Sequence, residues 1–141
     1  MTTTERTAAS TPEASRRRMH PSVIVAATLT ALAAAFGGYG SIYFSGLDGY
    51  TESDLTFLVA YLFMAVLGIV AAIAWLSRHP LGRPGVVLFA VWLTVFNVFK
   101  VGYVRETEAV IFLVVGLLIL GLALAAPARA HVLGRGSGRP A

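Results

Sequence analysis

Four long apolar runs, separated by short polar breaks, organise this chain: residues 22–45, 53–77, 85–104 and 108–126. A helical span needs about 20 mostly apolar residues to cross about 30 Å of hydrocarbon, so each run predicts one membrane-crossing helix. The run from Leu55 to Leu76 is free of charge along its whole length. Its start is marked by Thr51 with Asp54 three residues later, a capping-box pattern, and by Glu52 and Asp54 in a first turn, where acids favour the helix dipole. Trp75 sits where an interfacial anchor belongs. The segment Ser77-Arg78-His79-Pro80-Leu81-Gly82-Arg83-Pro84 stops this helix and turns the chain, with Pro84 suited to the first position of the next. Thr107 is placed to cap the fourth helix, with Glu108 in its first turn. The fold expected is an all-α integral membrane four-helix bundle over 22–126.

The first run carries small residues at four-residue spacing, Ala33, Gly37, Ser41 and Ser45. Such a face lets another backbone approach closely. Together with Gly68, Gly116 and Gly121, the residues Gly37 and Ser41 are the candidate helix-packing positions. In the third run Phe89, Trp92, Phe96, Phe99 and Tyr103 recur at helical spacing and line one stripe.

The tails differ from the runs. Residues 1–21 are rich in Thr, Ser, Ala and Pro without a hydrophobic period, which predicts a disordered tail. Residues 127–141 form a basic, glycine-rich one. Arg16-Arg17-Arg18 before an apolar run resembles a twin-arginine export signal, with Ala33-Ala34-Ala35 as a small-residue cleavage site. The apolar run continues through Ile42, Tyr43 and Phe44, however, so a cut there would leave a new N-terminus in lipid. An uncleaved helix is expected.

Composition agrees with a membrane protein: of 141 residues, 57% are hydrophobic and only 13% charged, against about 25% charged in ordinary soluble domains. The absence of cysteine excludes disulfides, thiolate nucleophiles and Cys-ligated metals. The net charge of +4 does not point to nucleic acid, because the basic residues flank the apolar runs instead of forming a patch with interleaved aromatics. Placing both tails and the 77–84 turn on one side collects Arg6, Arg16, Arg17, Arg18, Arg78, Arg83, Arg129, Arg135 and Arg139, nine of the eleven basic residues. Lys100, Arg105, Asp48, Glu52, Asp54, Glu106 and Glu108 fall on the other. The positive-inside rule then puts both termini in the cytoplasm and the chain in the cytoplasmic (inner) membrane as a multi-pass protein.

Candidate chemistry is sparse. Asn97 lies about 4 Å and Lys100 about 8 Å from the midpoint of the 85–104 span, toward the outer surface. A lysine at the bilayer centre costs roughly 2.5–3.5 kcal/mol, whereas the Val, Leu and Phe residues of this span together contribute about 4–7 kcal/mol in favour of insertion. The helix therefore inserts with its lysine, which either snorkels or pairs with Glu106 or Glu108, or contacts a ligand. In the ligand reading Asn97, Lys100, Tyr103 and Trp92, with Tyr39 or Tyr43 of the first helix, line an outward-facing pocket. In the structural reading the aromatic stripe is interhelical packing. His20, His79 and His131 lie outside the spans next to Pro or Ala residues, so no intramembrane haem or metal site is expected, and no cofactor. No acid sits inside any span to couple protons.

Small four-helix multidrug transporters resemble the chain in length and span number, but they carry a glutamate inside the first helix, and Val23–Phe44 has no charge. A short outer turn at 46–53, an Arg- and Pro-containing inner turn at 77–84 and a tight last hairpin resemble the DoxX-like small bacterial four-helix membrane proteins. That resemblance covers 22–126 and rests on topology; the group's first helix typically carries an arginine and a Gly-x-x-Lys-like pattern where this one reads GGYGSIY. No site residue carries over. The function expected is a non-enzymatic accessory or interacting subunit whose partners are membrane lipids, other membrane proteins or a second copy. The alternative is a small-molecule or lipid binding or transport protein with a pocket near Asn97 and Lys100.

Overall fold

The computed structural model describes residues 19–46 and 51–125. The predicted tails, including Arg16–Arg18 and the basic C-terminal segment, and residues 47–50 of the first turn lie outside the described residues. The described chain is all-helical: α1 (Pro21–Ser45), α2 (Glu52–Leu76), α3 (Gly82–Phe99) continued by a π-helical turn (Lys100–Val104), and α4 (Ala109–Leu124). Three of these, Pro21–Ser45, Glu52–Leu76 and Gly82–Val104, are long and apolar enough to cross a membrane; Ala109–Leu124 is a shorter apolar helix than the expected 108–126 run.

The helices close into a ring in chain order. Helix α1 packs on α2, α2 on α3, α3 on α4 and α4 back on α1; α1 touches α3 only slightly, and α2 and α4 do not meet. The core has Trp75, Phe89, Met64, Leu93, Ile119, Val23 and Val86 at its centre. Leu32, Ile42, Leu62, Val70, Ile73, Val95 and Leu117 face outward, so the ring is apolar on both its inside and its outside, unlike a helix bundle made for water.

Small residues set how closely the helices approach. A Cβ on Gly37 would stand 3.0 Å from the Tyr61 carbonyl oxygen and 3.1 Å from the Ala65 nitrogen, and one on Gly40 would stand 2.7 Å from the Tyr61 ring. Glycine at these positions lets α1 lie directly on the α2 backbone. Gly68 admits the Phe89 ring and Ala34, and Gly116 admits Thr94. Ser41 is half-buried on the same face as Gly37, its hydroxyl turned back to the Gly37 carbonyl at 2.9 Å. Gly121 is different: it is exposed, with nothing within 4 Å of the position a Cβ would take, so it makes no close helix contact. At about 100° per residue, the five-residue step from Gly116 turns it about 140° away from the seam.

The ends of the helices explain where they start and stop. The predicted capping box is present: Thr51 Oγ1 accepts from the Asp54 amide at 3.2 Å, and the Thr51 amide donates to Asp54 Oδ2 at 3.0 Å. Helix α2 ends in a Schellman pattern, in which the Arg78 and His79 amides donate to the Trp75 and Ala74 carbonyls at 3.0 and 2.8 Å. Arg78 takes the left-handed position at φ 57°. Three expectations are corrected. Trp75 is not an interfacial anchor; it is fully buried beneath the turn, where a Cβ on Gly82 would stand 2.4 Å from its Cα. Helix α3 begins at Gly82, placing Pro84 at its third position; proline is tolerated there because the first amides of a helix have no intrahelical acceptor. Thr107 does not cap α4, which begins at Ala109 behind Glu108 without a side-chain cap.

Candidate functional site

Of the three buried polar or charged residues among those described, Thr30 turns its hydroxyl back to the Ala26 carbonyl within α1, and the other two, Asn97 and Lys100, lie where α3 ends. From Lys100 the helix widens into a π-helical turn, and Arg105 then adopts a left-handed conformation with φ 59°. The amides of Arg105 and Glu106 both donate to the Lys100 carbonyl, the latter at 3.2 Å. This closure folds Glu106 back over the turn. Its carboxylate accepts from Lys100 Nζ at 2.7 Å, an ion pair between a lysine side chain 9% exposed and a glutamate side chain 36% exposed. Pairing with Glu106, one of the partners expected from the sequence, is thus the arrangement found. The left-handed arginine and the wide turn occupy residues that a regular helix end would have freed, which is why Thr107 falls in the turn and not at the cap.

Helix α2 supplies the second partner. Lys100 Nζ also donates to the Tyr61 hydroxyl at 2.8 Å. Tyr61 is 5% exposed, and burial of a tyrosine ordinarily calls for a partner for its hydroxyl. The ammonium lies 5.4 Å from the Tyr61 ring centroid and 5.9 Å from that of Phe96, within cation–π range. Around this pair the rings continue. Tyr61 meets Phe36 and Phe44 of α1 and Phe96 of α3, and Phe36 stacks on Phe112 of α4 with centroids 4.3 Å apart. Tyr61 and Phe96 flank the cation, and through them a connected cluster of rings draws in all four helices. A buried charge needs such compensation, because transfer of an unpaired ammonium into apolar surroundings is strongly unfavourable.

Asn97, one turn earlier, is buried, and its Nδ2 donates to the Leu93 carbonyl at 2.7 Å. Its amide is therefore turned back onto its own helix. Trp92 is half-buried with its ring edge-on to Phe63 at 5.0 Å, and its indole N–H is covered without a hydrogen-bond partner among the described residues. Tyr103 is 80% exposed and stacks on Phe99. Tyr39 and Tyr43 are exposed on the outer face of α1. The aromatic stripe thus runs from core to surface as α3 proceeds, from buried Phe89 to exposed Tyr103.

Among the described residues, Lys100 Nζ meets Tyr61 and Glu106 and makes no recorded contact with Asn97, Tyr39 or Tyr43. What the stripe does line is a groove between α2 and α3 of about 530 Å³, walled by Phe57, Ala60, Trp92, Phe96, Phe99 and Tyr103. Lys100 is not part of its wall; Phe96 is, and also borders the lysine. Among the described residues no group of His, Asp and Glu side chains is placed to hold a metal ion.

No protein-family model matches the chain, and neither does any curated protein or solved structure.

Proposed function

We propose that this chain is a non-enzymatic, multi-pass protein of the bacterial cytoplasmic membrane, acting as an accessory or interacting subunit, with both termini and the Ser77–Pro84 turn on the cytoplasmic side. The observation that carries the reading is that the buried polar cluster is closed on itself: Lys100 is engaged by Tyr61 and Glu106, and Asn97 by its own helix. A cluster so engaged holds the bundle together and leaves the broad apolar outer faces as the surface that works. Membrane lipids, other membrane proteins or a second copy of the chain are the partners, and nucleic acid is not among them.

Purification in mild detergent tests this. A stoichiometric protein partner or a homo-oligomer is the expected result, and a monomer that retains a small molecule instead would sink it. Orientation is tested by single cysteines at Ser53 and Ser137 in this cysteine-free chain, treated in intact cells with an impermeant maleimide. Labelling at Ser53 alone is expected.

A second reading, a small-molecule or lipid binding or transport protein, draws its support from the α2–α3 groove and its aromatic wall. In that reading the groove, and not Lys100, holds the ligand. A Trp92→Ala change then abolishes ligand retention while Lys100→Met leaves it intact.

A further inference from the structure

The groove between α2 and α3 does not stop at Trp92. A second cavity of about 650 Å³, lined by Leu55, Thr56, Val59, Ala60, Phe63 and Trp92, shares Thr56, Ala60 and Trp92 with the first, of about 530 Å³. The two form one trough with unlike halves. One adds the rings of Phe57, Phe96, Phe99 and Tyr103, and the other adds Leu55, Val59 and Phe63. Each volume lies in the range of about 300–1,000 Å³ that small-molecule sites occupy.

No charged side chain lines the aromatic half. The Thr56 hydroxyl is spent on the Glu52 carbonyl at 2.9 Å and the Trp92 N–H is covered, which leaves the hydroxyls of Ser53 and Tyr103 at the wall. The rings therefore decide what fits. Their faces are negative, a cation within about 6 Å of a centroid is attracted to them, and cages of such rings take quaternary ammonium groups. Phe96 already has a cation near it, Lys100 Nζ at 5.9 Å, whose charge Glu106 holds at 2.7 Å. Among the described residues Phe57, Trp92, Phe99 and Tyr103 have none.

The charge around the trough has the matching sign. The four described carboxylates, Glu52, Asp54, Glu106 and Glu108, all belong to the end of the bundle where α3 finishes, against the two cations Lys100 and Arg105. Glu106 is paired with Lys100, while Glu52 and Glu108 are exposed. Such a field draws a positive ligand and repels a phosphate or carboxylate.

We infer that the α2–α3 trough binds an amphiphilic cation, an amine or quaternary ammonium without a phosphate, with its head among Phe57, Trp92, Phe99 and Tyr103 and its apolar tail along Leu55, Val59 and Phe63. The inference rests on the second reading above and gives its ligand a chemical class.

The test uses the full chain in an uncharged maltoside detergent at mildly alkaline pH, titrated with three amphiphiles that share a dodecyl chain and read by native mass spectrometry. Dodecyltrimethylammonium is the cation, dodecyldimethylamine oxide its net-neutral counterpart, and dodecylphosphocholine carries the same ammonium with a phosphate. The cation is expected to be retained about tenfold more tightly than the other two, the size of one or two cation–π contacts. Phe99→Leu combined with Tyr103→Leu is expected to remove most of that margin and to leave the amine oxide unaffected; the two side chains are 49% and 80% exposed, so folding is not at stake. Ala60→Leu narrows both halves and is expected to weaken all three. Equal retention of cation and amine oxide overturns the inference while the groove reading stands, as does a margin that survives the two leucines. Phosphocholine retained as tightly as the cation overturns it too, by assigning the trough to a zwitterionic lipid head. Retention of none of the three, or retention indifferent to Ala60→Leu, defeats the groove reading itself and the inference with it.

Discussion

The two chain reversals at the ends of α2 and α3 solve one problem by opposite means. After α2 the chain turns over a buried indole: the amides of Ser77, Arg78, His79 and Gly82 go to backbone carbonyls and the Trp75 backbone fills the space that a Gly82 side chain would need. After α3 the chain turns over a buried cation, and side chains close the structure, with Glu106 and Tyr61 on Lys100. Both use an arginine in the left-handed region, Arg78 and Arg105. The first reversal depends on shape and the second on charge, so the two ends are expected to fail under different substitutions.

The largest effect is expected at the charged end. Glu106→Ala leaves the Lys100 ammonium with only a neutral hydroxyl, and loss of about 3 kcal/mol is expected, at the low end for a broken buried pair because the glutamate is partly exposed. Lys100→Met combined with Glu106→Ala is expected to restore most of that, since a flexible apolar chain fills the aromatic enclosure without charge. Unfolding curves in detergent for the two single variants and the double variant give the coupling directly, and additive losses would contradict a closed ion pair.

At the shape-dependent end, Gly82→Ala places a methyl against the Trp75 backbone, which cannot give way as a side-chain tip can. A loss of about 2 kcal/mol is expected, with quenching or a shift of Trp75 fluorescence as a local readout. Next in size is Tyr61→Phe, which keeps the ring and removes the acceptor; about 1.5 kcal/mol is expected, as for one charge-assisted hydrogen bond, and it should shrink when Lys100 is already Met. The smallest effect is at Gly121→Ala, where no neighbour lies within 4 Å. There the helix gains the propensity of alanine, a few tenths of a kcal/mol up to about 1 kcal/mol of stabilisation, and a destabilised variant would place Gly121 against a neighbour after all.

Much of the helix order was legible because it is local. The apolar runs marked the helices to within a few residues at most ends, and Thr51 with Asp54 marked the start of α2. Lys100 was legible as the residue requiring compensation, and Glu106 as one of its partners, because both lie in one short stretch. Tyr61 was missed, since its contact spans 39 residues and no local pattern carries it. A signal existed: it is the one tyrosine within the charge-free 55–76 run, and a tyrosine at that depth has a hydroxyl to satisfy. Trp75 was misplaced because position near a helix end is a statistical cue, whereas burial there is decided by the glycine seven residues on. Thr107 failed as a cap because a widened turn and a left-handed residue change the count between helices, and neither announces itself in composition.

The ring order of the helices bears on how the protein is made. The most extensive contacts are within α1–α2 and α3–α4, so these two hairpins are expected to form before they dock on one another. The Lys100–Tyr61 hydrogen bond runs between the hairpins and so forms at docking. Its formation reports assembly and not hairpin closure, and the chain divided at the Arg78–Gly82 turn into two coexpressed hairpins is expected to reassemble with wild-type Tyr61 and less well with Phe at that position.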